Sequence, residues 1–306
     1  MSSRLVVEVW ILDDATAKSR VMEKLSTSSE SWDCAASDTY ISIIAPRLAL
    51  FARDAMFLAD PKDDDILLEV ACGPGHLAIE AARAGVKKII ATDWSKAMLD
   101  GLKNTLKQES PKVSERVTPL HVDGQTLQGI DENSVDIAIS LFGIFLFNDR
   151  TAACNSLMRV VKPGGKVIVS LWDSQKTEPS PTMFSVINTL VTYIKTNSNL
   201  ANNTIPSTIT DKDKMLIDLE KAGFVNIRSV PVSHSFCFAD SDTLLKYFMG
   251  RNPVFDRLFL TLDEQQLEGC RRALIDEVYG KSSARDKECV MNGVAYMIIA
   301  EKPDSS

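Results

Sequence analysis

The stretch Leu68-Glu69-Val70-Ala71-Cys72-Gly73-Pro74-Gly75-His76-Leu77-Ala78 decides the fold. An apolar run that breaks into a glycine turn and reopens as an apolar-periodic segment predicts strand, turn and helix in that order. Glycines at 73 and 75 let backbone approach a ligand closely. The unpaired N–H groups and the positive dipole end at the start of the helix can hold a negatively charged group. Gly73, Gly75 and Ala78 also satisfy the G-x-G-x-x-[G/A] dinucleotide pattern, and Asp93 lies 20 residues beyond Gly73.

Working outward, Ile66 to Ala71, Lys88 to Thr92, Val117 to Val122, Val135 to Ser140 and Lys166 to Leu171 each read as a short buried strand. Helical stretches at His76 to Ala84, Lys96 to Lys107 and Thr151 to Val161 separate them. Strand and helix alternating at this spacing predict an α/β fold, doubly wound around a parallel sheet. Further on come expected helices at Met183 to Lys195, Asp211 to Lys221, Asp242 to Met249 and Asp263 to Val278, with strands at Asn226 to Val232 and Val294 to Ala300. Before the core, a serine-rich segment from Ser26 to Ser37 reads as a loosely ordered arm. It runs into a helix carrying Ile44, Leu48, Leu50, Phe51 and Met56.

Motifs in one order narrow the reading. The stretch from Glu69 to Gly75 resembles the first motif, E/D-x-x-x-G-x-G, of class I S-adenosyl-L-methionine (SAM) dependent methyltransferases. Ala91-Thr92-Asp93-Trp94-Ser95-Lys96-Ala97-Met98-Leu99 resembles the second. His121-Val122-Asp123-Gly124-Gln125 resembles the end of the third strand, and Arg159-Val160-Val161-Lys162-Pro163-Gly164-Gly165 the turn before the fifth, with Val161 where the family has Leu. The resemblance is to the small-molecule branch that includes ubiquinone- and menaquinone-biosynthesis enzymes. It implies a seven-stranded, mostly parallel sheet with an antiparallel last strand, an N-terminal helical lid and a cap insertion. On this basis residues 1–60 form arm and lid helix, 61–173 the SAM-binding core, 174–210 the cap, and 211–306 the rest of the sheet with substrate-side helices.

The same resemblance implies the cofactor residues. Asp93 would accept both ribose hydroxyls, and Asp123 would recognise adenine. Glu69, Ala71, Gly73, Gly75, Trp94, Met98, Gly124, Ser140, Leu141 and the lid residue Tyr40 would complete the SAM site. Taken singly, Asp93 and Asp123 also read as turn or helix caps. Cys72 reads as a packing residue, since no base is in view to make it a thiolate. His76 reads as a solvent-facing first-turn residue.

The resemblance also implies that the loop Ser140-Leu141-Phe142-Gly143-Ile144-Phe145-Leu146-Phe147-Asn148-Asp149 would face the transferring methyl group. It lacks the N/D-P-P-Y/F motif of amino-methylating nucleic-acid enzymes. Phe142, Phe145 and Phe147 suit either core or a hydrophobic pocket. Methyl transfer from a sulfonium needs alignment more than a base, so no catalytic residue is assigned; Tyr40, Asp149 and His234 are the candidates. The 34 Lys plus Arg against 41 Asp plus Glu, net charge -7, exclude the counterion-release attraction on which nucleic-acid binding depends. Six cysteines without a CxxC pair give neither a metal site nor a disulfide ladder. The longest apolar run falls short of the roughly 20 residues of a membrane helix. The expectation is a cytoplasmic methyltransferase acting on a small, partly hydrophobic acceptor. A nicotinamide-dependent oxidoreductase and a catalytically silent methyltransferase-like subunit stay open as alternatives.

Overall fold

The computed structural model describes residues 32–33, 40–175, 181–197, 211–250, 259, 262–280 and 288–304. The arm from Ser26 to Ser37 falls outside them except for Trp32 and Asp33, as do residues 176–180 and 198–210 of the expected insertion. The chain divides into two compact units.

One unit comprises Ala45–Trp172, Ser207–Val232 and Ala295–Ser306. Its strands are β1 (Ile66–Val70), β2 (Lys88–Asp93), β3 (Val117–His121), β4 (Val135–Ser140) and β5 (Val161–Trp172), with the parts of β6 (Val225–Phe238) and β7 (Cys289–Glu301) that belong to it. The seven-stranded sheet runs β3-β2-β1-β4-β5-β7-β6. Neighbours from β3 to β5 are parallel, and β7 pairs with β5 antiparallel, Lys166 opposite Glu301 and Trp172 opposite Ala295. This is the sheet expected from the sequence.

Strands β1 and β4 are buried on both faces, which is why they read as nearly continuous apolar runs. The covering helices are α1 (Leu50–Ala59), α2 (His76–Ala84), α3 (Lys96–Leu106), α4 (Arg150–Val160) and α6 (Lys212–Lys221). On α1 the inward face is Phe51, Ala52, Ala55 and Ala59, whereas Leu50 points outward. Ser95, Asp149 and Asp211 cap α3, α4 and α6, each accepting a backbone N–H from three residues on. The Arg150 Nε–Asp218 Oδ2 pair, 2.6 Å apart and buried, ties α4 to α6.

The stretch over residues 159–165, where α4 passes into β5, owes its composition to packing. Arg159 donates to the carbonyls of Thr126, Leu127 and Ile130, clamping the loop that follows Asp123. Gly164 has φ +73°, and a Cβ on Gly165 would sit 2.7 Å from the Asp136 carbonyl oxygen. Lys302 Nζ, beyond β7, donates to Asn133 Oδ1 and to the carbonyls of Met158 and Val161 at the end of α4.

The other unit comprises Met1–Ile44, Asp173–Pro206 and Ser233–Val294. Its helices α5 (Met183–Asn197) and α8 (Glu264–Tyr279) pack side by side, with Thr189 Oγ1 donating to Glu277 Oε2 at 3.1 Å. Asp263 opens α8 with a full capping box. Tyr247 of α7 (Ser241–Met249) meets Phe236, Phe238 and Phe248 in a buried ring cluster. Strand β6 runs six residues beyond the expected end at Val232. Pro231 lies inside this strand, which is the edge of the sheet, the place where a strand tolerates proline. His234 therefore lies within β6 rather than after it. Among the described residues no helix is long and apolar enough to cross a membrane.

Candidate functional site

The carboxyl ends of β3, β2, β1 and β4 stand side by side, and the candidate residues gather there. Val70 at the end of β1 pairs with Thr92, and Asp93 at the end of β2 pairs with His121. Beyond Val70 the chain turns sharply: Ala71 has φ +57°, Gly73 +54° and Gly75 +82°. Cys72 N–H donates to the Thr92 carbonyl at 2.9 Å, and Gly75 N–H closes the turn on the Cys72 carbonyl at 2.9 Å.

The two glycines do different work. A Cβ on Gly73 would enter open space, with no atom within 4 Å, whereas one on Gly75 would overlap the Leu102 side chain of α3. Among the described residues nothing stands against Gly73, whereas Gly75 is required by helix packing. Gly124 also serves packing, since a Cβ there would lie 2.5 Å from Phe147 Cζ and 2.7 Å from Val70 Cγ1.

Two of the backbone N–H groups that could attract an anion to this turn are already taken by the protein itself. Gly75, at the N-cap of α2, offers no side chain, and Glu69 Oε2 accepts the Ala78 N–H of the first turn at 2.9 Å. Asp93 accepts the Gly73 N–H on Oδ2 and the Ser95 N–H on Oδ1, both at 2.8 Å. Burial pushes the Glu69 carboxyl up to about 8, against the lowering effect of its Ala78 bond; the neighbouring Asp93 charge adds to the rise. The turn is thus flanked by the carboxyl groups of Glu69 and Asp93, with neither Lys nor Arg among residues 69–78.

Asp123 is half-buried and accepts from Gln125 N–H at 2.9 Å, an Asx turn that holds the loop after β3. Trp94 is part-exposed, its carbonyl 2.8 Å from His121 Nε2. The Met98 side chain is buried in the core, and its N–H donates to the Ser95 hydroxyl. Leu141 is half-buried. Ser140 ends β4 with a buried hydroxyl that has no hydrogen-bond partner among the described residues, and a bound ligand or water is one way such an atom in a native interior is satisfied.

Of the three loop phenylalanines, Phe142 and Phe145 are core. Phe142 stacks on Trp172 at 4.1 Å and meets Phe51 edge-on at 5.0 Å. Phe147 alone is half-buried and rests against Gly124. Asp149 is the N-cap of α4, its Oδ1 accepting from Ala152 N–H at 2.8 Å. Tyr40 and His234 belong to the other unit, where Tyr40 meets Trp32 edge to face at 5.7 Å. Burial raises the Cys72 thiol well above its ordinary value, in keeping with a packing role. His76 is half-buried rather than solvent-facing, and burial lowers its pKa. Sequence reasoning passed over Ser170, which accepts the Phe142 N–H at 2.8 Å. Its signal was a lone hydroxyl in the apolar run Val167-Ile168-Val169-Ser170-Leu171.

Residues 67–165 match a family described as a methyltransferase domain. The demethylmenaquinone methyltransferase of Bacteroides fragilis is 26% identical over 162 residues, a match spanning 51% of this chain and 65% of that relative. Among solved structures, the YcgJ protein of Bacillus subtilis superposes with a TM-score of 0.55 at 14% identity, covering 85% of this chain and 100% of that one. Phosphoethanolamine N-methyltransferase 2 of Haemonchus contortus, in complex with S-adenosyl-L-methionine, gives 0.50 at 18% identity over 83% of this chain and 52% of that one. At these identities the solved structures share the fold.

Proposed function

We propose that this chain, which carries a class I methyltransferase domain resembling the ubiquinone- and menaquinone-biosynthesis group, uses S-adenosyl-L-methionine to methylate a small, partly hydrophobic metabolite. The observation that carries the reading is the row of Asp123, Asp93, Gly73 and Ser140 at the ends of four adjacent parallel strands. An acidic turn with one open glycine and one unpartnered buried hydroxyl beside it suits a ligand that is cationic and rich in donors.

When bound, that cofactor supplies an electrophilic methyl group on a sulfonium. The chain's own residues bind and orient. Asp93 and Asp123 would hold the nucleoside, as the family resemblance implies. Ser140 would offer its hydroxyl at the other end. Alignment of this kind is worth about 7–11 kcal/mol in favourable cases, so the reaction needs no assigned base unless the acceptor must lose a proton. Half-buried Leu141, Leu146 and Phe147 favour an apolar acceptor, in keeping with the quinone precursor in the name of the Bacteroides relative. The net charge of -7 disfavours nucleic acid, and the cysteine spacing favours a reducing compartment such as the cytoplasm.

The oxidoreductase alternative loses support from topology. Dinucleotide-binding sheets run 3-2-1-4-5-6, all parallel, whereas here an antiparallel β7 intervenes between β5 and β6. Incubating the protein with methyl-labelled SAM and a whole-cell extract, then separating the products on a filtration membrane, tests the proposal. Label is expected in a filterable compound. Label in RNA, DNA or protein refutes the acceptor class, and a thermal shift with NAD but none with SAM or S-adenosylhomocysteine refutes the cofactor.

A further inference from the structure

We infer, resting on the SAM reading above, that Ser170 is a positioning residue for the methionyl end of the cofactor, acting through the backbone of Phe142. Asp93 ends β2 and Asp123 lies in the loop after β3, both to one side of β1, so the nucleoside they would hold lies on that side. The remaining part of such a ligand must extend towards β4.

At the end of β4 the chain makes a second sharp turn. Phe142 has φ +56°, a left-handed conformation that is costly for a bulky aromatic residue. Its ring is held by Trp172 and Phe51, but its backbone is held by the 2.8 Å bond from its N–H to Ser170 Oγ, in a buried environment. This turn brings Gly143 against the glycine turn after β1. A Cβ on Gly143 would lie 2.5 Å from Ala71 Cβ, 3.0 Å from Ser140 Oγ and 3.5 Å from the Val70 carbonyl oxygen. Two strained turns from distant parts of the sequence are therefore in contact, and the unpartnered Ser140 hydroxyl sits where they meet. Without the Ser170 acceptor, a buried N–H loses its partner in a conformation that already costs energy. The 140–143 turn then relaxes away from Ala71, and Ser140 leaves the glycine turn with it.

The test compares two probes on the full chain by calorimetric titration. S-adenosylhomocysteine carries the amino-acid tail, and 5′-methylthioadenosine shares the adenosine and thioether but lacks that tail. Ser170→Ala is expected to weaken S-adenosylhomocysteine at least about fivefold while changing 5′-methylthioadenosine less than about twofold. It should also speed hydrogen exchange at the Phe142 amide. Equal weakening of both probes, or no weakening of either, overturns the inference, because a merely structural serine has no reason to separate the two ends of the ligand. Should Ser170→Ala fail to fold, Ser140→Ala leaves the Phe142 bond intact and must show the same split; its absence there overturns the inference equally. Wild-type protein that binds neither probe refutes the cofactor reading itself, a separate outcome.

Discussion

Replacing Glu69 by glutamine should reverse part of the pH dependence of stability. In the folded chain the Glu69 carboxyl is raised from 4.5 to about 8, chiefly by burial. A group with a raised folded pKa favours the folded state in its protonated form. Its contribution is complete below about pH 4.5 and is lost as pH rises through about 8. The difference of roughly 3.5 units, at about 1.36 kcal/mol per unit, amounts to on the order of 5 kcal/mol lost across that window. A glutamine at this position keeps an oxygen for the Ala78 N–H and does not titrate, so Glu69→Gln should match wild type near pH 5 and exceed it by several kcal/mol near pH 8. Urea midpoints of both proteins, measured from pH 5 to 8.5 without ligand, give the difference curve in which all other titrations cancel. Parallel curves would refute the argument, because they would mean that Glu69 is charged in the folded state at neutral pH and that its burial is not the dominant influence.

Three further outcomes follow from the same geometry. Gly73→Ala should cost only about 1–2 kcal/mol of stability for its left-handed φ yet abolish S-adenosylhomocysteine binding, whereas Gly75→Ala should lower the melting temperature more, because Leu102 must also move; equal effects on both readouts would refute the division of labour. Asp93→Asn, which retains one acceptor oxygen for two backbone N–H groups, should lose about 1.5–3 kcal/mol in chemical unfolding as well as cofactor affinity; lost affinity with an unchanged midpoint would show that the bonds to Gly73 and Ser95 hold nothing together. Lys302→Met removes three hydrogen bonds at the end of α4 and should destabilise by about 2–3 kcal/mol, leaving the calorimetric affinity of the folded protein for S-adenosylhomocysteine unchanged.

What could be read in the sequence was whatever repeats locally. Helix α2 was expected at His76 to Ala84 and occupies those residues, because an amphipathic period ends at Gly85, which adopts φ +106° as a C-cap. The order of motifs along the chain placed Glu69, Asp93, Asp123 and Ser140 at strand ends, since in a parallel sheet every strand of the set delivers its carboxyl end to the same edge. Direction of side chains was harder. Periodicity could not separate Gly73, against which nothing stands among the described residues, from Gly75, which faces Leu102, because both stand in one turn and differ only in what a distant helix brings against them. The loop after β4 shows the same limit: three phenylalanines look alike in sequence, and the positive φ of Phe142 turns its ring towards Phe51 and Trp172.

The glycine turn itself carries the largest revision. A helix N-terminus behind glycines promises an anion site, and that promise rests on unsatisfied N–H groups. Here Ala78 N–H is taken by Glu69 and Gly73 N–H by Asp93. The Ala78 N–H in the first turn of α2 and the Gly73 N–H before it are held by the protein's own carboxyl groups, which leaves an acidic turn where the pattern alone suggested a phosphate site. A pyrophosphate would have to displace Asp93 from Gly73 and accept a second negative charge beside it. A ligand whose ammonium and carboxylate cancel and whose sulfonium leaves it net positive meets less opposition, and the sulfonium charge would favour ionised Glu69, drawing the carboxyl back down from its raised value. Binding of a cationic ligand should therefore release a fraction of a proton near pH 7, and that linkage separates SAM, with its sulfonium, from S-adenosylhomocysteine, which lacks it. Titrations in buffers of different ionisation enthalpy read the released proton directly, and identical values for the two ligands would show that Glu69 does not sense the sulfonium charge.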